Sequence, residues 1–279
     1  MRDSLLRARA RHVLGRVGLS RRGRRGRRAR LSCFDAGALT RSRRHGRHGV
    51  APGALVFAAV DLETTGLDPA VDRVCEIGVV RFRADGEVLD EFVTLLDPQR
   101  PMDATAIHGI AAEQVRGAPT FAEVAPELER LLAGTVVVAH NLAFEDAFLA
   151  AEFRRAGRRR PRWPGLCTLV TARAQLDGPG YGLAALHRSL TATPVDAAHT
   201  ALGDSRATAA VLAALLAQSP TPLRYRGRHP QAAALTRAPA LVPPATRAPT
   251  ALQAGAADRP PLPRHTWRPR ERAPEWRRA

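Results

Sequence analysis

Lysine is absent from this sequence, so all 43 basic residues are arginine. A GC-rich codon bias is the favoured explanation, because alanine and proline are abundant as well. The sequence also lacks any run of about 18 apolar residues, which excludes a transmembrane helix. Its three cysteines, Cys33, Cys75 and Cys167, are odd in number and lack the spacing of metal ligands. This argues against a disulfide framework and against a zinc site.

Acidic residues are scarce, 26 against 43 arginines, and they are unevenly distributed. Residues 1–50 contain 16 arginines and 2 acidic residues, and residues 221–279 contain 12 arginines and 3 acidic residues. The middle, 51–220, contains 15 arginines and 21 acidic residues. We therefore predict a basic Arg-rich N-terminal segment at 1–50 that is disordered in part, one folded domain at 51–220, and a disordered Ala/Pro/Arg-rich tail at 221–279.

Hydrophobic patterning predicts alternating strands and helices within the folded domain, which is typical of an α/β or mixed α+β protein. The predicted strands are Leu55–Val60, Val74–Phe82, Val88–Leu96 and Val136–Ala139, and Gly86 marks a hairpin turn. The predicted helices are Thr120–Leu132, which opens with a capping-box pattern, and then Leu142–Phe153, Leu183–Leu190 and Leu202–Leu216.

Two acidic residues, Asp61 and Glu63, lie at the end of the first predicted strand. Residues i and i+2 of a strand point to the same face, about 7 Å apart. Two carboxylates in such a setting repel each other unless a cation holds both of them ionised. A pair of Mg²⁺ or Mn²⁺ ions suits this spacing, although a strand end that simply reaches solvent is the favoured explanation when the pair is taken alone.

Two further clusters follow buried segments and contain acidic residues or histidine. Glu145 and Asp146 are neighbours about 100° apart on a predicted helix, so only one of them can face a given site. His199 precedes Asp204 by five residues, which places the histidine in a loop and the aspartate in the first turns of a helix. Imidazole titrates near neutrality, so His199 is a candidate general base. Each cluster alone is also compatible with an ordinary charged surface.

Taken together, these clusters resemble the DEDDh 3′–5′ exonuclease family, and in particular the exonuclease domain of the DNA polymerase III epsilon subunit. The resemblance covers about residues 55–217. Its motifs are DLETTG at 61–66, HGI at 108–110, APTF at 118–121, VAHNLAFEDAFL at 138–149 and HTALGDSRATAAVL at 199–212.

The resemblance implies a ribonuclease-H-like exonuclease fold of the α/β class, with a mixed five-stranded sheet flanked by helices, over an exonuclease domain at 51–220. It implies two divalent ions per site, Mg²⁺ or Mn²⁺, and release of nucleoside 5′-monophosphates from 3′ ends. By motif, the metal ligands would be Asp61, Glu63, Glu145 and Asp204, and the general base His199. The substrate-binding residues would be Thr64, Thr65, Asp103, His108 and Asn141.

One position departs from the family pattern. The family has HNxxFD, whereas this sequence has Glu145 at the aspartate position and Asp146 one residue later. Both flanks of the motif align without a gap, so we predict that Glu145 is the fourth carboxylate. Its extra methylene changes the reach to an ion, so reduced or metal-shifted activity is an open alternative at this point.

The function that this resemblance implies is a metal-dependent 3′–5′ exonuclease acting on single-stranded DNA ends in repair, proofreading or recycling. RNA 3′-end trimming is the alternative within enzymes, because a few pocket contacts decide 2′-OH discrimination. A nucleic-acid-binding protein with a degraded nuclease site is a third alternative. No clamp-binding peptide is evident in 221–279, so the sequence favours a stand-alone bacterial relative, cytoplasmic and nucleoid-associated, with no membrane partner and no indicated polymerase association.

Overall fold

The computed structural model describes residues 32–41, 49–230 and 265–268. Nine strands lie in this part of the chain: β1 Phe34–Arg41, β2 Val56–Thr64, β3 Val74–Arg83, β4 Val88–Leu95, β5 Val136–Ala139, β6 Trp163–Cys167, β7 Leu176–Asp177, β8 Leu223–Arg226 and β9 Thr266–Trp267. The α-helices of the same residues are α1 Thr105–His108, α2 Ala112–Val115, α3 Phe121–Leu132, α4 Leu142–Arg155, α5 Thr168–Gln175, α6 Leu183–Thr191 and α7 Ala201–Ala217.

The main sheet is mixed and has the strand order β4-β3-β2-β5-β6-β1-β8. Strands β2, β3 and β4 form an antiparallel meander, and β5, β6 and β1 continue from β2 in parallel. Strand β8 closes the far edge antiparallel to β1. The carboxyl ends of β2 and β5 therefore meet at the same edge of the sheet, and this edge carries the acidic motifs.

The side chains of β2 alternate between the two faces of the sheet, so both faces are apolar. Helices cover both of them. Ala58 and Val60 face one cluster of buried apolar residues, to which α3 and α4 contribute. Phe57 and Ala59 face a second cluster, which contains residues of α7. Helix α6 packs on the outer side of α7. The start of α3 has the hydrogen bond expected of the predicted capping box, because the Thr120 N–H donates to Glu123 Oε2 at 2.7 Å.

The mixed sheet flanked by helices is as predicted, but it has seven strands rather than five. Strands β1 and β8 lie outside the predicted domain boundaries of 51 and 220, so the folded part of the chain is larger than predicted. Strand β1 was not predicted, because its eight residues follow a long Arg-rich run and were assigned to the basic N-terminal segment. Strand β6 was hidden because it contains Pro164 and Gly165, which both have low strand propensity.

The glycine of β1 explains how the edge strand β8 packs. The Tyr225 ring of β8 covers Gly37, and a Cβ at residue 37 would lie 2.6 Å from the Tyr225 ring. Tyr225 itself is fully buried. A segment rich in Arg and Gly therefore contributes a packed strand, because the missing side chain leaves room for an aromatic ring.

Part of the predicted C-terminal tail also packs on the domain. Strand β9 pairs antiparallel with β7, and the His265 ring bonds to Ser189 Oγ at 2.9 Å and to the Gly180 carbonyl at 2.7 Å. The rest of the two predicted basic segments, 1–31, 42–48, 231–264 and 269–279, lies outside the described residues. Among the helices that are described, none is both long enough and apolar enough to cross a membrane.

Candidate active site

The first two acidic residues lie where β2 ends. Asp61 pairs with Gly78 of β3, and Glu63 pairs with Glu76. The register then shifts between Glu63 and Thr64, which is a bulge in the ladder. Bulges of this kind are frequent next to active sites, because they bend the strand and re-aim the side chains that follow.

Asp204 comes to the same place from the first turn of α7. Thr200 caps this helix, and its Oγ1 accepts the Gly203 N–H at 3.0 Å. One ligand atom from each of Asp61, Glu63 and Asp204 lies within 4.8 Å of the other two. The structure therefore brings Asp204 beside two carboxyl groups that precede it by more than 140 residues in the sequence.

These carboxyl groups strongly perturb one another. Burial, followed by the charges of Asp204, Glu63 and Glu145, raises the pKa of Asp61 well above its ordinary value. Burial raises the pKa of Asp204 to about 6, although the backbone N–H of His199 opposes the shift by donating to this carboxyl group. Crowded carboxyl groups with raised pKa values are typical of functional sites, because bound cations remove the repulsion.

Glu145 and Asp146 have separate environments on α4. Glu145 is buried and lines the same cavity as the three other carboxyl groups. Burial raises the pKa of Glu145 to about 8. Its Oε2 has no hydrogen-bond partner within the described part of the chain. Asp146 instead accepts hydrogen bonds from Ser32 Oγ at 2.5 Å and from the Cys33 N–H at 2.6 Å, so its carboxylate holds the start of β1.

His199 lies on the loop before α7 and lines the same cavity. Its φ of +61° is in the left-handed region, where histidine occurs more often than most residues. Partial burial lowers the pKa of the imidazole. The neutral form, which can accept a proton, is therefore favoured at neutral pH.

The shared cavity has a volume of about 240 Å³, and two groups of residues stand out in its lining. The acidic wall consists of the carboxyl groups and His199. The apolar wall consists of Leu67, Ile107 and Phe144, of which Leu67 and Ile107 are exposed. Apolar and charged side chains that line one cavity are suited to a ligand with one flat apolar part and one charged part.

Only two of the five predicted substrate-binding residues, Thr64 and His108, line this cavity. Thr64 Oγ1 donates to the Gly66 carbonyl at 2.6 Å, and His108 Nδ1 accepts the Ile110 N–H at 3.0 Å. The other three predicted residues lie outside the cavity lining.

Each of those three residues has a structural contact instead. Thr65 is fully buried, and its hydroxyl donates to Asp72 at 3.1 Å. Asp103 forms an ion pair with Arg100 at 3.0 Å. Asn141 begins α4, and its carbonyl accepts the Phe144 N–H at 2.7 Å. Their roles in binding substrate therefore stay predictions.

Sequence reasoning missed Leu67, Ile107 and Glu76. Leu67 follows the TTG turn directly and Ile107 precedes His108, so each adjoins a motif residue and could have been included on that ground. Glu76 lies opposite Glu63 in the strand pairing, which the hairpin register could have revealed. A single acidic residue in an apolar run gave no other signal.

Divalent cations fit the residues of this site. The donor atoms are carboxylate oxygens, which Mg²⁺ and Mn²⁺ prefer. The carboxyl groups are close enough to share an ion. The unpartnered Oε2 of buried Glu145 would also gain a partner from a cation.

Known proteins contain the same domain. The exonuclease family model RNase_T matches residues 58–212. The chain is 40% identical over 172 residues to a putative bifunctional exonuclease/endonuclease protein of Mycobacterium tuberculosis, covering 57% of this chain and 26% of that protein. It is 36% identical over 157 residues to DNA polymerase III subunit epsilon of Treponema pallidum, covering 54% of this chain and 72% of that subunit.

Several relatives are much longer proteins. The chain is 36% identical over 157 residues to the PolC-type DNA polymerase III of Thermotoga petrophila, of which it spans 11%. Among solved structures, E. coli exonuclease I in complex with a dA16 oligonucleotide has a TM-score of 0.51 and 21% identity, covering 60% of this chain and 42% of that one. This likeness confirms the predicted ribonuclease-H-like fold. Together with the matched residues 58–212, it confirms the predicted family: the chain belongs to the RNase_T exonuclease family.

Proposed function

We propose that this protein is a metal-dependent 3′–5′ exonuclease that hydrolyses phosphodiester bonds at single-stranded DNA ends and releases nucleoside 5′-monophosphates. The observation that carries the proposal is the convergence of Asp61, Glu63 and Asp204, whose ligand atoms lie within 4.8 Å of one another, in a cavity that Glu145 and His199 also line. A structural role alone does not account for such a set, because the crowded carboxyl groups destabilise the fold.

In this proposal Asp61, Glu63 and Asp204 hold the cations, and Glu145 is the fourth carboxylate. When bound, two Mg²⁺ or Mn²⁺ ions supply positive charge beside the phosphate and make the attacking water more acidic. Without such charge the net negative wall would repel an anionic strand. The acidic wall and the requirement for a metal therefore belong together.

His199 is the proposed general base, and its Nδ1 or Nε2 takes the proton of the attacking water. Its lowered pKa keeps the imidazole neutral and ready to accept that proton. The loop that holds His199 leads directly into α7, and the His199 N–H donates to the Asp204 carboxyl group. This hydrogen bond fixes the separation between the base and one of the proposed metal ligands.

The apolar wall is the proposed binding surface for the terminal base. Leu67, Ile107 and Phe144 offer an apolar surface to a nucleobase, which every base can contact through its flat face. Contacts of this kind tolerate any sequence, as an exonuclease requires. Thr64 and His108 line the same cavity and are the proposed contacts of the sugar of the terminal nucleotide.

DNA is the proposed substrate class, because a relative is named as a DNA polymerase subunit and exonuclease I is described with a DNA oligonucleotide. We propose a stand-alone enzyme of the bacterial cytoplasm, associated with the nucleoid, that acts in repair, proofreading or nucleotide recycling. If the protein trims RNA instead, a digestion assay that includes RNA beside DNA reveals it.

The test is digestion of 5′-labelled single-stranded DNA and RNA with Mg²⁺ or Mn²⁺, comparing wild type with Glu145→Gln and Asp146→Asn. We expect a ladder shortened from the 3′ end of DNA, and a loss of about a hundredfold in Glu145→Gln, because one charged ligand is removed. Asp146→Asn is the matched control, since it neutralises the neighbouring residue that contacts Ser32 and Cys33 instead.

Four outcomes would contradict this proposal in part or as a whole. Loss of activity in Asp146→Asn alone would exclude Glu145 as the fourth carboxylate. Full activity in His199→Ala would exclude the proposed base. Digestion of RNA but not DNA would change the substrate class, and no digestion of either would refute the exonuclease itself.

A further inference from the structure

Glu76 is a fully buried carboxyl group that none of the steps above uses. It lies on β3, directly opposite Glu63, and has no exposed surface. A buried acidic side chain is unfavourable unless strong hydrogen bonds or charges compensate for its lost hydration. The contacts of Glu76 therefore indicate what compensates for its burial and which part of the fold it supports.

One contact of Glu76 is with the first residue of α7. Glu76 Oε2 accepts the Ala201 N–H at 2.8 Å. The first N–H groups of a helix have no partner within the helix, and a negative charge near them is favourable. Thr200 already satisfies the Gly203 N–H. Glu76 thus completes the cap of α7 from a different element of the fold.

The same stretch of β3 has two further contacts with the start of α7. Gly78 allows the helix to approach, because a Cβ at residue 78 would lie 2.3 Å from the backbone of Ala201. Ser205 Oγ donates to the Gly78 carbonyl at 3.0 Å. Strand β3 therefore packs directly against the first turn of α7, which carries Asp204.

The charge of Glu76 acts against the rest of the site. It adds to the repulsion that raises the pKa values of Asp61 and Asp204. A neutral side chain in this position would avoid that repulsion. The acidic group is compensated by its hydrogen bond to the helix start, which lies between His199 and Asp204 in the sequence.

We propose that Glu76 is a positioning residue: its buried carboxylate fixes the first turn of α7 and so sets the distance of Asp204 from Asp61. This inference rests on the proposed function, because it assigns Asp204 as a metal ligand. Glu76 itself touches neither the ions nor the substrate in this scheme. It acts through the backbone of Ala201.

Two substitutions separate the hydrogen bond from the volume of the side chain. Glu76→Met fills a similar volume without an acceptor, whereas Glu76→Gln keeps an acceptor oxygen without the charge. We expect the Mn²⁺ dissociation constant, measured by calorimetry without substrate, to rise 10- to 100-fold in Glu76→Met, as is typical for residues that orient metal ligands. Glu76→Gln should restore it to within about fivefold, since a neutral acceptor is only slightly weaker. If Glu76→Met does not fold, Glu76→Ala replaces it.

Ser205→Ala is the matched control, because it removes the other hydrogen bond between α7 and β3. We expect it to lower the unfolding temperature but to leave the Mn²⁺ dissociation constant unchanged. An equal loss of Mn²⁺ affinity in Ser205→Ala would mean that any loosening of α7 has this effect, and would overturn the assignment. Unchanged affinity in Glu76→Met would overturn it as well.

A second measurement does not depend on metal or catalysis. Hydrogen exchange of the peptide that contains Ala201 should become faster in Glu76→Met, and return towards wild type in Glu76→Gln. Exchange as slow as in wild type in Glu76→Met would refute the capping role. If wild type binds Mn²⁺ but digests no nucleic acid, the proposed function fails while the role of Glu76 is still decided by exchange and by Mn²⁺ affinity.

Discussion

The two halves of the sheet differ in what their buried residues do. The site half, β4-β3-β2-β5, carries the carboxyl groups of Asp61 and Glu63 at one edge, where burial and mutual repulsion raise the pKa of Asp61. The terminal half, β6-β1-β8, carries Tyr225 in its core and pairs Asp35 with Arg162 and Arg228 at its surface. The site half holds like charges together at its acidic edge, although its strands β3 and β4 also carry ion pairs, whereas Asp35 of the terminal half is neutralised by two arginines.

This difference shows how stability and activity are distributed. The carboxyl groups that are proposed to bind cations are poorly solvated and repel one another in the protein alone, so the site half is destabilised at its proposed active site. The terminal half has no such conflict. It supplies well-packed apolar surface that offsets the unfavourable charges. Substitutions in the two halves should therefore have opposite signatures.

The largest effect is expected in the site half, from Asp61→Asn. Loss of a ligand shared by the proposed ions removes several kcal/mol of transition-state stabilisation, so the rate of DNA digestion should fall about a thousandfold. The unfolding temperature of the metal-free protein should rise at neutral pH, because one of the repelling charges is gone. Digestion rates and thermal unfolding in EDTA measure the two effects. A fall in both would mean that Asp61 mainly supports the fold.

The terminal half should respond in the opposite way, as Tyr225→Ala tests. Deleting the fully buried ring leaves a cavity over Gly37, so the free energy of unfolding should fall by about 3 kcal/mol. Digestion at a temperature where the variant is folded should be close to wild type. Tyr225→Phe is the control, since it removes only a 3.4 Å hydrogen bond to Arg228 and should change stability by less than about 1 kcal/mol.

A large loss of activity in folded Tyr225→Ala would contradict the separation of the two halves. It would mean that the packing of β8 reaches the site through β1 and β6. Asp146 links the helix of Glu145 to the start of β1 through its contacts with Ser32 and Cys33, and Phe34 of β1 packs in the same apolar cluster as that helix.

The two halves also differ in how well the sequence predicts them. The four strands predicted from patterning are β2, β3, β4 and β5, all in the site half. They have long apolar runs and a recognisable hairpin turn. Strands β1, β6 and β8 contain Gly37, Pro164 or Arg-rich flanks, and their strand structure depends on partners from distant parts of the chain. Local propensity does not report such partners.

The site itself was predictable where motif and topology agree. The Asp61–Glu63 pair and the His199–Asp204 spacing predicted side chains that the structure brings into one cavity. Thr65 and Asp103 were predicted to contact substrate, and in the structure their side chains bond to the local partners Asp72 and Arg100. Such partners depend on loop geometry, which spacing in the sequence does not specify.

A further effect is expected on the pH dependence of stability in the site half. The pKa of Glu145 is raised from 4.5 to about 8, so between these values the folded metal-free protein binds more protons than the unfolded chain. Its stability should therefore fall as pH rises from 5 to about 8. Glu145→Gln cannot lose this proton, so its unfolding temperature in EDTA should fall less over the same range.

Glu113→Gln, which removes an exposed charge outside the cavity, should keep the wild-type slope. If Glu145→Gln also keeps the wild-type slope, Glu145 is not held protonated by burial, and the fourth carboxylate of the site half is already charged before any cation binds.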